Sequence, residues 1–353
     1  MRICIVTVYN SENCGSVLQA YALGKKLSSM GHSVRYLYRE KNGTGASTTK
    51  VGLVILKSLL RGNVENARLK WLFHKQCLND AKRFNTLSMR DTKDVEAFIL
   101  GSDTIWQLSN QYFNSRFSRY WGLDFVGRKV ISYAPSINDA KEALFANNTM
   151  VYNALENLSA ISVRDAYSKR VLEKCTEKAI RIVCDPTMLL SIDDYHEVER
   201  ECPIDTDFIL VYAFRDFCPP EDIKELKEYA EKHHCKLVSF GVARKWCDIS
   251  VPFDTFAMPA YYEKASYVIT NTFHGNVFSL IYSRVFLNYS TSNKVSELLN
   301  QFSLGDRTRS DGTPISYVLD SSIDYATVSE KMDELRVKSI EFLENALMDS
   351  ERS

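Results

Sequence analysis

A chain of 353 residues is long for one ordinary domain and suits two, each able to bury a core of its own. Its 45% hydrophobic and 25% charged residues are globular in proportion, and 44 Lys+Arg against 44 Asp+Glu give a formal net charge of zero. That balance argues against a nucleic-acid partner, which selects basic excess, and leaves room for a local basic pocket that takes a phosphate or carboxylate.

The nine cysteines form no C-x-x-C pair and read as reduced thiols of a cytoplasmic protein. His233, His234, Cys235 and Cys247 lack metal-ligand spacing, so no metal is expected. Residues 2–8 are too short for a signal-peptide core and read as a strand. No run reaches the roughly 18–20 apolar residues of a membrane span. The apolar stretch Val51–Leu60, interrupted by Lys57 and Ser58, is expected to be a buried helix. Peripheral contact with the inner face of a membrane stays open.

In chain order, Ile3–Tyr9 is a β-branched run ending in the polar turn Asn10–Gly15. A helix from Ser16 to Met30, with Leu18, Ala22, Leu23 and Leu27 on one face, stops at Gly31, and Ser33–Tyr38 is the next strand. Strand, loop, helix and strand form a βαβ unit, which implies a parallel sheet. Residues 41–50 read as a loop, followed by helices near 51–61 and 63–78. Strands Ala97–Leu100, Lys129–Ala134, Ala160–Val163 and Ile180–Val183 then alternate with helices near 147–158 and 166–175. The charged segment 193–207, with Pro203, reads as a linker.

A second alternating set has strands at Phe208–Ala213, Lys236–Phe240, Tyr267–Thr270 and Val285–Tyr289. Its helices are expected at 220–234, 256–265, 275–283 and 293–301, and an amphipathic helix near 324–348 closes the chain. The class is therefore α/β, with two Rossmann-like doubly wound domains at 1–200 and 207–320 and a C-terminal segment, 321–353, packed on the body.

Ligands of open α/β sheets bind outside the carboxyl ends of the strands, and the unusual polar residues of this chain fall there. Asn13, Gly15 and Ser16 precede a helix whose N-terminus suits an anion or hydroxyl, although the same residues serve a cap and a tight turn. Ser102 and Asp103 follow a strand; Asp103 can hold a sugar hydroxyl, act as a general base, or cap a short helix. Arg164 ends another strand and can grip an anionic oxygen or a neighbouring acid. Asp165 reads as a helix cap, and Asp185, before Pro186, as a turn-fixing residue. Thr272, His274 and Gly275 follow Tyr267–Thr270. His274 at a helix N-terminus can bind phosphoryl oxygen or donate a proton, with Gly275 leaving room for a ligand. Histidines 32, 74, 196, 233 and 234 read as lying on helix surfaces or turns.

The chain resembles the polysaccharide pyruvyl transferase family. The resemblance rests on NSENCGSVLQAYAL (10–23), GSDTIWQ (101–107), ISYAPSI (131–137), ISVRDAYSKRVLE (161–173), CDPTMLL (184–190), TNTFHGNVFSLIYSRVF (270–286) and KVSELLNQFSLGDR (294–307), in family order. It implies a GT-B-like pair of domains around a cleft, the first on the acceptor side and the second on the donor side. It also implies transfer of the enolpyruvyl-derived group of phosphoenolpyruvate to a sugar of a surface polysaccharide or its lipid-linked precursor, giving a pyruvate ketal. No cofactor is implied.

By the same resemblance, Arg164 and His274 take the donor and Asp103 takes a proton from the sugar hydroxyl. Several members carry Arg where this chain has Thr272, Gln where it has Thr104, and Tyr where it has Cys14. Two other readings compete. A GT-B glycosyltransferase would need an acid at a nucleotide ribose, for which Glu297 is a candidate. A non-catalytic protein of the same fold would need no convergence of His274, Arg164 and Asp103.

Overall fold

The computed structural model describes residues 1–38 and 48–348. Two all-parallel sheets carry the architecture. The first contains β1 (Arg2–Val6), β2 (Ser33–Leu37), β3 (Thr86–Leu87), β4 (Ala97–Leu100) and β5 (Lys129–Ser132), in the order β3-β2-β1-β4-β5. β6 (Ile161–Val163) and β7 (Ile180–Ile182) pair with each other and extend this layer, because Ser132 N donates to Ala160 O at 3.0 Å. The second sheet contains β8 (Phe208–Tyr212), β9 (Lys236–Phe240), β10 (Ile249–Val251), β11 (Tyr267–Thr270) and β12 (Val285–Asn288), in the order β10-β9-β8-β11-β12. In both sheets the first strand is central, two successors lie on one side and two on the other. The chain thus reverses direction across each sheet between its first and fourth strands.

The strands are apolar throughout because both faces are covered. Ile3, Ile5, Ala97 and Ile99 face one core, and Cys4, Val6, Phe98 and Leu100 face another, as the two-residue period requires. The first of these cores does not end at the edge of its half. It continues into Phe208, Leu210 and Tyr212 on one face of the second sheet. The helix Cys14–Ser29 lies within this shared core and is buried at Leu18, Ala20, Ala22 and Leu23 alike, which is why its sequence is barely amphipathic. The last helix, Tyr325–Met348, returns to the first half: Arg336 Nε donates to Met188 O at 2.8 Å, and Ser339 Oγ accepts from Cys184 N at 2.9 Å.

Most expected elements are present within a few residues. The structure adds the short edge strands β3 and β10 and the helix Ile315–Asp320. The loop expected at 41–50 lies outside the described residues as far as 47, and from Thr48 the chain is helical. Two expectations are corrected. The helix Thr48–Leu60 is not buried: Leu53, Val54, Leu56, Leu59 and Leu60 are exposed. His74 is not on a surface, since its helix, Val64–Asp80, turns it into the core. The segment after Ser191 begins with a capped helix, Ile192–His196, before the chain crosses to β8. Among the described residues, no helix is long and apolar enough to cross a membrane.

Candidate active site

The loops after β1 and β4 meet those after β8 and β11, so the two points of chain reversal open on one cleft of about 610 Å³. Asn13 caps the helix Cys14–Ser29, its Oδ1 accepting from Gly15 N at 3.0 Å. Ser16, one turn in, donates its hydroxyl to Asp103 Oδ2. Asp103 follows β4 with φ 76°, a left-handed conformation that Asp tolerates better than most residues. Its Oδ1 accepts from Thr104 N at 2.8 Å.

Across the cleft, Thr272 caps the helix Phe273–Ile281, its Oγ1 accepting from Gly275 N at 2.8 Å. His274 lies in the first turn of that helix, where the dipole favours an anion. Its ring rests against the backbone of Gly15. A Cβ at residue 15 would stand 2.1 Å from His274 Nδ1, so a residue without one allows this approach.

Arg164, after β6, links the two sides. Its Nη1 donates to Asp185 Oδ2 at 2.9 Å, its Nη2 lies 3.5 Å from Asp103 Oδ1, and its guanidinium covers the Phe273 ring at 4.5 Å. Asp185, after β7, also accepts from Thr187 N at 3.1 Å and Thr187 Oγ1 at 2.8 Å. His274 Nε2 stands 3.7 Å from the same Asp185 oxygen that Arg164 holds. One buried carboxylate therefore stands beside both the guanidinium and the imidazole. The His274 Nε2 and Arg164 Nε atoms are buried without a hydrogen-bond acceptor.

Burial alone would raise both carboxyls. At Asp103 the charges of Arg164 and His274 and the Ser16 hydrogen bond outweigh it and hold the group below its ordinary value. At Asp185 His274, Arg164 and Thr187 do the same more strongly. Both acids are ionised at neutral pH, but only the Asp103 side chain has access to the cleft, 13% exposed against 0% for Asp185. Lys294, near the N-terminus of the helix Asn293–Gln301, also lines the cleft. Burial and then the Arg164 charge lower its pKa.

Asn13, Ser16, Asp103, Arg164, Thr272 and His274 thus line one cleft. The other expected residues stand behind its wall. Ser102 is fully buried and its hydroxyl donates to Ala134 O at 2.7 Å. Gly15 supports the imidazole. Gly275 leaves space for its own helix cap and not for a ligand, because a Cβ there would meet Thr270 Oγ1 at 2.0 Å. Asp185 is more than a turn residue, and Lys294 was not singled out from sequence. The Asp-Pro pair signals only a turn, and a lysine opening a helix signals only a solvated residue. Glu297 lines a smaller cavity of about 270 Å³ beside Arg164 and Lys294, and its Oε2 accepts from Ala166 N at 2.8 Å and Tyr167 N at 3.2 Å across the two halves.

Two parallel sheets of one strand order, meeting at a cleft ringed by helix N-termini, define a GT-B-like protein. Solved structures agree with this fold. An α-glucosyltransferase in complex with UDP-glucose and DNA containing an abasic site superposes with TM-score 0.51 at 11% identity, over 98% of this chain and 93% of that one. A structure described as a UDP-N-acetylglucosamine 2-epimerase from Listeria monocytogenes superposes with TM-score 0.53 at 10% identity, over 100% and 98%. No curated protein sequence matches the chain. The profile of the family described as polysaccharide pyruvyl transferase matches residues 13–293, and the chain belongs to that family. It is a transferase, and polysaccharide pyruvylation is the general activity its family supports.

Proposed function

We propose that the cleft binds phosphoenolpyruvate and transfers its three-carbon group to a pair of hydroxyls on a saccharide, forming a pyruvate ketal and releasing phosphate. The observation that carries this reading is the joining of Arg164 and His274 through Asp185, with Asp103 beside them. A small polyanion that adds a carboxylate to a phosphate needs several donors within one ligand's length. Arg164, His274, Lys294 and the helix N-termini supply them. Lys294 offers the cleft a cation that the Thr272 position does not.

In the reaction, His274 delivers a proton to the methylene carbon while an acceptor hydroxyl oxygen bonds to the adjacent carbon. That hydroxyl's proton passes to Asp103. The bond from carbon to the phosphate oxygen then breaks, phosphate departs with the electron pair, and the second hydroxyl closes the ketal while its proton passes to the departing phosphate. Arg164 neutralises charge on the donor throughout. The domains proposed are 1–200 on the acceptor side and 207–320 on the donor side, with a C-terminal segment, 321–353, packed on the body. The setting proposed is cytoplasmic, with a lipid-linked or free saccharide acceptor, no resident cofactor and no nucleic-acid partner.

Calorimetry of phosphoenolpyruvate binding tests the reading without knowledge of the acceptor. His274→Ala and Arg164→Ala are each expected to weaken binding tenfold or more, about 1.4 kcal/mol. Wild-type protein that ignores phosphoenolpyruvate and binds a nucleotide sugar overturns it in favour of glycosyl transfer. A folded protein that binds neither ligand overturns it in favour of a non-catalytic role.

A further inference from the structure

We propose that the outward face of the paired helices Thr48–Leu60 and Val64–Asp80 docks on an anionic lipid surface. On the first helix, Val51 and Ile55 turn inward, and Leu53, Leu56 and Leu60 lie on the opposite side at i, i+3 and i+7. On the second, Ala67, Leu69, Phe73 and Cys77 are buried, while Val64, Trp71 and Leu78 recur every seven residues on the exposed face. These six side chains are between 51% and 79% exposed. An apolar stripe aimed at water, on a protein with a complete core beneath it, marks an interaction surface.

The charges around the stripe select its occupant. Residues 48–80 carry Lys50, Lys57, Arg61, Arg68, Lys70 and Lys75 against two carboxylates, Glu65 and Asp80, of which Asp80 is buried against Arg200, although the whole chain is neutral. Glu65 is paired with Arg68 at 2.7 Å, which leaves the other cations to set the field. Lys75 sits over the Trp71 ring at 5.7 Å, a pairing of cation and aromatic ring suited to the headgroup layer. Apolar side chains flanked by lysine and arginine, with tryptophan at the margin, are the features by which an amphipathic helix lies in a bilayer interface. A second copy of the chain fits less well: in an isologous contact Lys57, Arg61 and Lys75 would face the same cations on the other copy.

The position of the pair gives docking a consequence. Asn66 Oδ1 accepts from Ala243 N at 2.8 Å, which ties the pair to the second half. Cys77 Sγ donates to the carbonyl of Ser11, a residue that lines the candidate cleft. A docked pair therefore holds the cleft beside the bilayer. That this presents a lipid-linked acceptor rests on the proposed transferase reaction; the docking itself does not.

The test is sedimentation of the full chain with phosphatidylcholine vesicles, with and without about one third phosphatidylglycerol. Wild type is expected to partition onto the anionic vesicles and to release as salt approaches about 0.5 M. Leu56→Asp/Leu60→Asp abolishes the partition, and Lys57→Glu/Arg61→Glu reduces it roughly tenfold. Both variants keep the wild-type thermal midpoint, because every altered side chain is exposed, and both keep phosphoenolpyruvate affinity. A wild type that ignores anionic vesicles overturns docking, as does partition that neither variant changes. A solution dimer dissolved by Leu60→Asp assigns the face to a second copy instead. The phosphoenolpyruvate titration is separate, so failure of docking and failure of the transferase reading are told apart.

Discussion

Asp185 holds Arg164 at 2.9 Å and stands 3.7 Å from His274, so the charge state of one buried carboxylate governs two groups of the cleft. Asp185→Asn would leave the Arg164 guanidinium inside the protein with the longer ion pair to Asp103, 3.5 Å away, and the charge of Asp165 to offset it. Breaking a buried pair in this way costs about 3–5 kcal/mol. The folded Asp185 and Asp103 carboxyls both lie below the unfolded value of about 3.9. The unfolded chain therefore binds more protons as the pH falls through that region. The stabilisation is fully present above about pH 5 and is lost progressively below about pH 4. Calorimetric scans from pH 7 to 3 should show Asp185→Asn with a lower midpoint at pH 7 and a shallower fall in acid; parallel curves would refute the linkage. His274, Arg164 and Asp103 are legible in sequence because each follows an apolar run, at the end of a strand where ligands bind. Asp185 also follows a strand, but its Asp-Pro-Thr turn accounts for it without partners, and those partners come from β6 and β11, distant in sequence.

At the scale of elements, helix starts do much of the site's work, and Gly15 shows how tightly two of them are fitted. The helices Cys14–Ser29 and Phe273–Ile281 approach until the imidazole of one lies on the backbone of the other. Gly15→Ala introduces a methyl 2.1 Å from His274 Nδ1, a distance no pair of atoms tolerates, so the ring or the helix start must shift. Phosphoenolpyruvate affinity is expected to fall at least as far as in His274→Ala, measured by the same titration, while Gly24→Ala, which meets Tyr36 far from the cleft, should lower the thermal midpoint without that selective loss. Equal effects of the two substitutions on affinity would remove Gly15 from the site. The strands were legible because buried parallel strands are continuous apolar runs. The exceptions, β3 and β10, are edge strands: β3 has two residues, and β10, with the same Ile-Ser-Val as the buried β6, is only half-buried. The helix Thr48–Leu60 was legible as a helix but not as exposed: its residues are apolar on most sides, and only the packing of Val64–Asp80 against one side decides which face is left to solvent.

The two halves of the molecule are held by a continuous core and by polar ties, of which Arg200 is the most concentrated. Its Nη1 and Nη2 donate to the two oxygens of Asp80 at 3.1 Å each, and its Nε lies 2.9 Å from both oxygens of Asp254. Asp80 closes the helix Val64–Asp80 of the first half, and Asp254 precedes the helix Met258–Lys264 of the second. One guanidinium between two carboxylates offsets their repulsion and sets the distance between the elements carrying them. Arg200→Met leaves the buried Asp80 with Gln76 at 3.2 Å and Arg83 at 3.9 Å, and returns the two acids to mutual repulsion. The expected loss is about 3 kcal/mol, read as a lower calorimetric midpoint. Arg200→Lys should recover little of it, because an ammonium cannot present paired donors to two carboxylates. Asp80→Asn added to Arg200→Met should recover part of it, because the uncompensated charge is gone. If the clamp also fixes the angle between the halves, phosphoenolpyruvate affinity falls in Arg200→Met, although Arg200 touches none of the residues lining the cleft. A midpoint unchanged by Arg200→Met would mean that the shared apolar core alone holds the halves together.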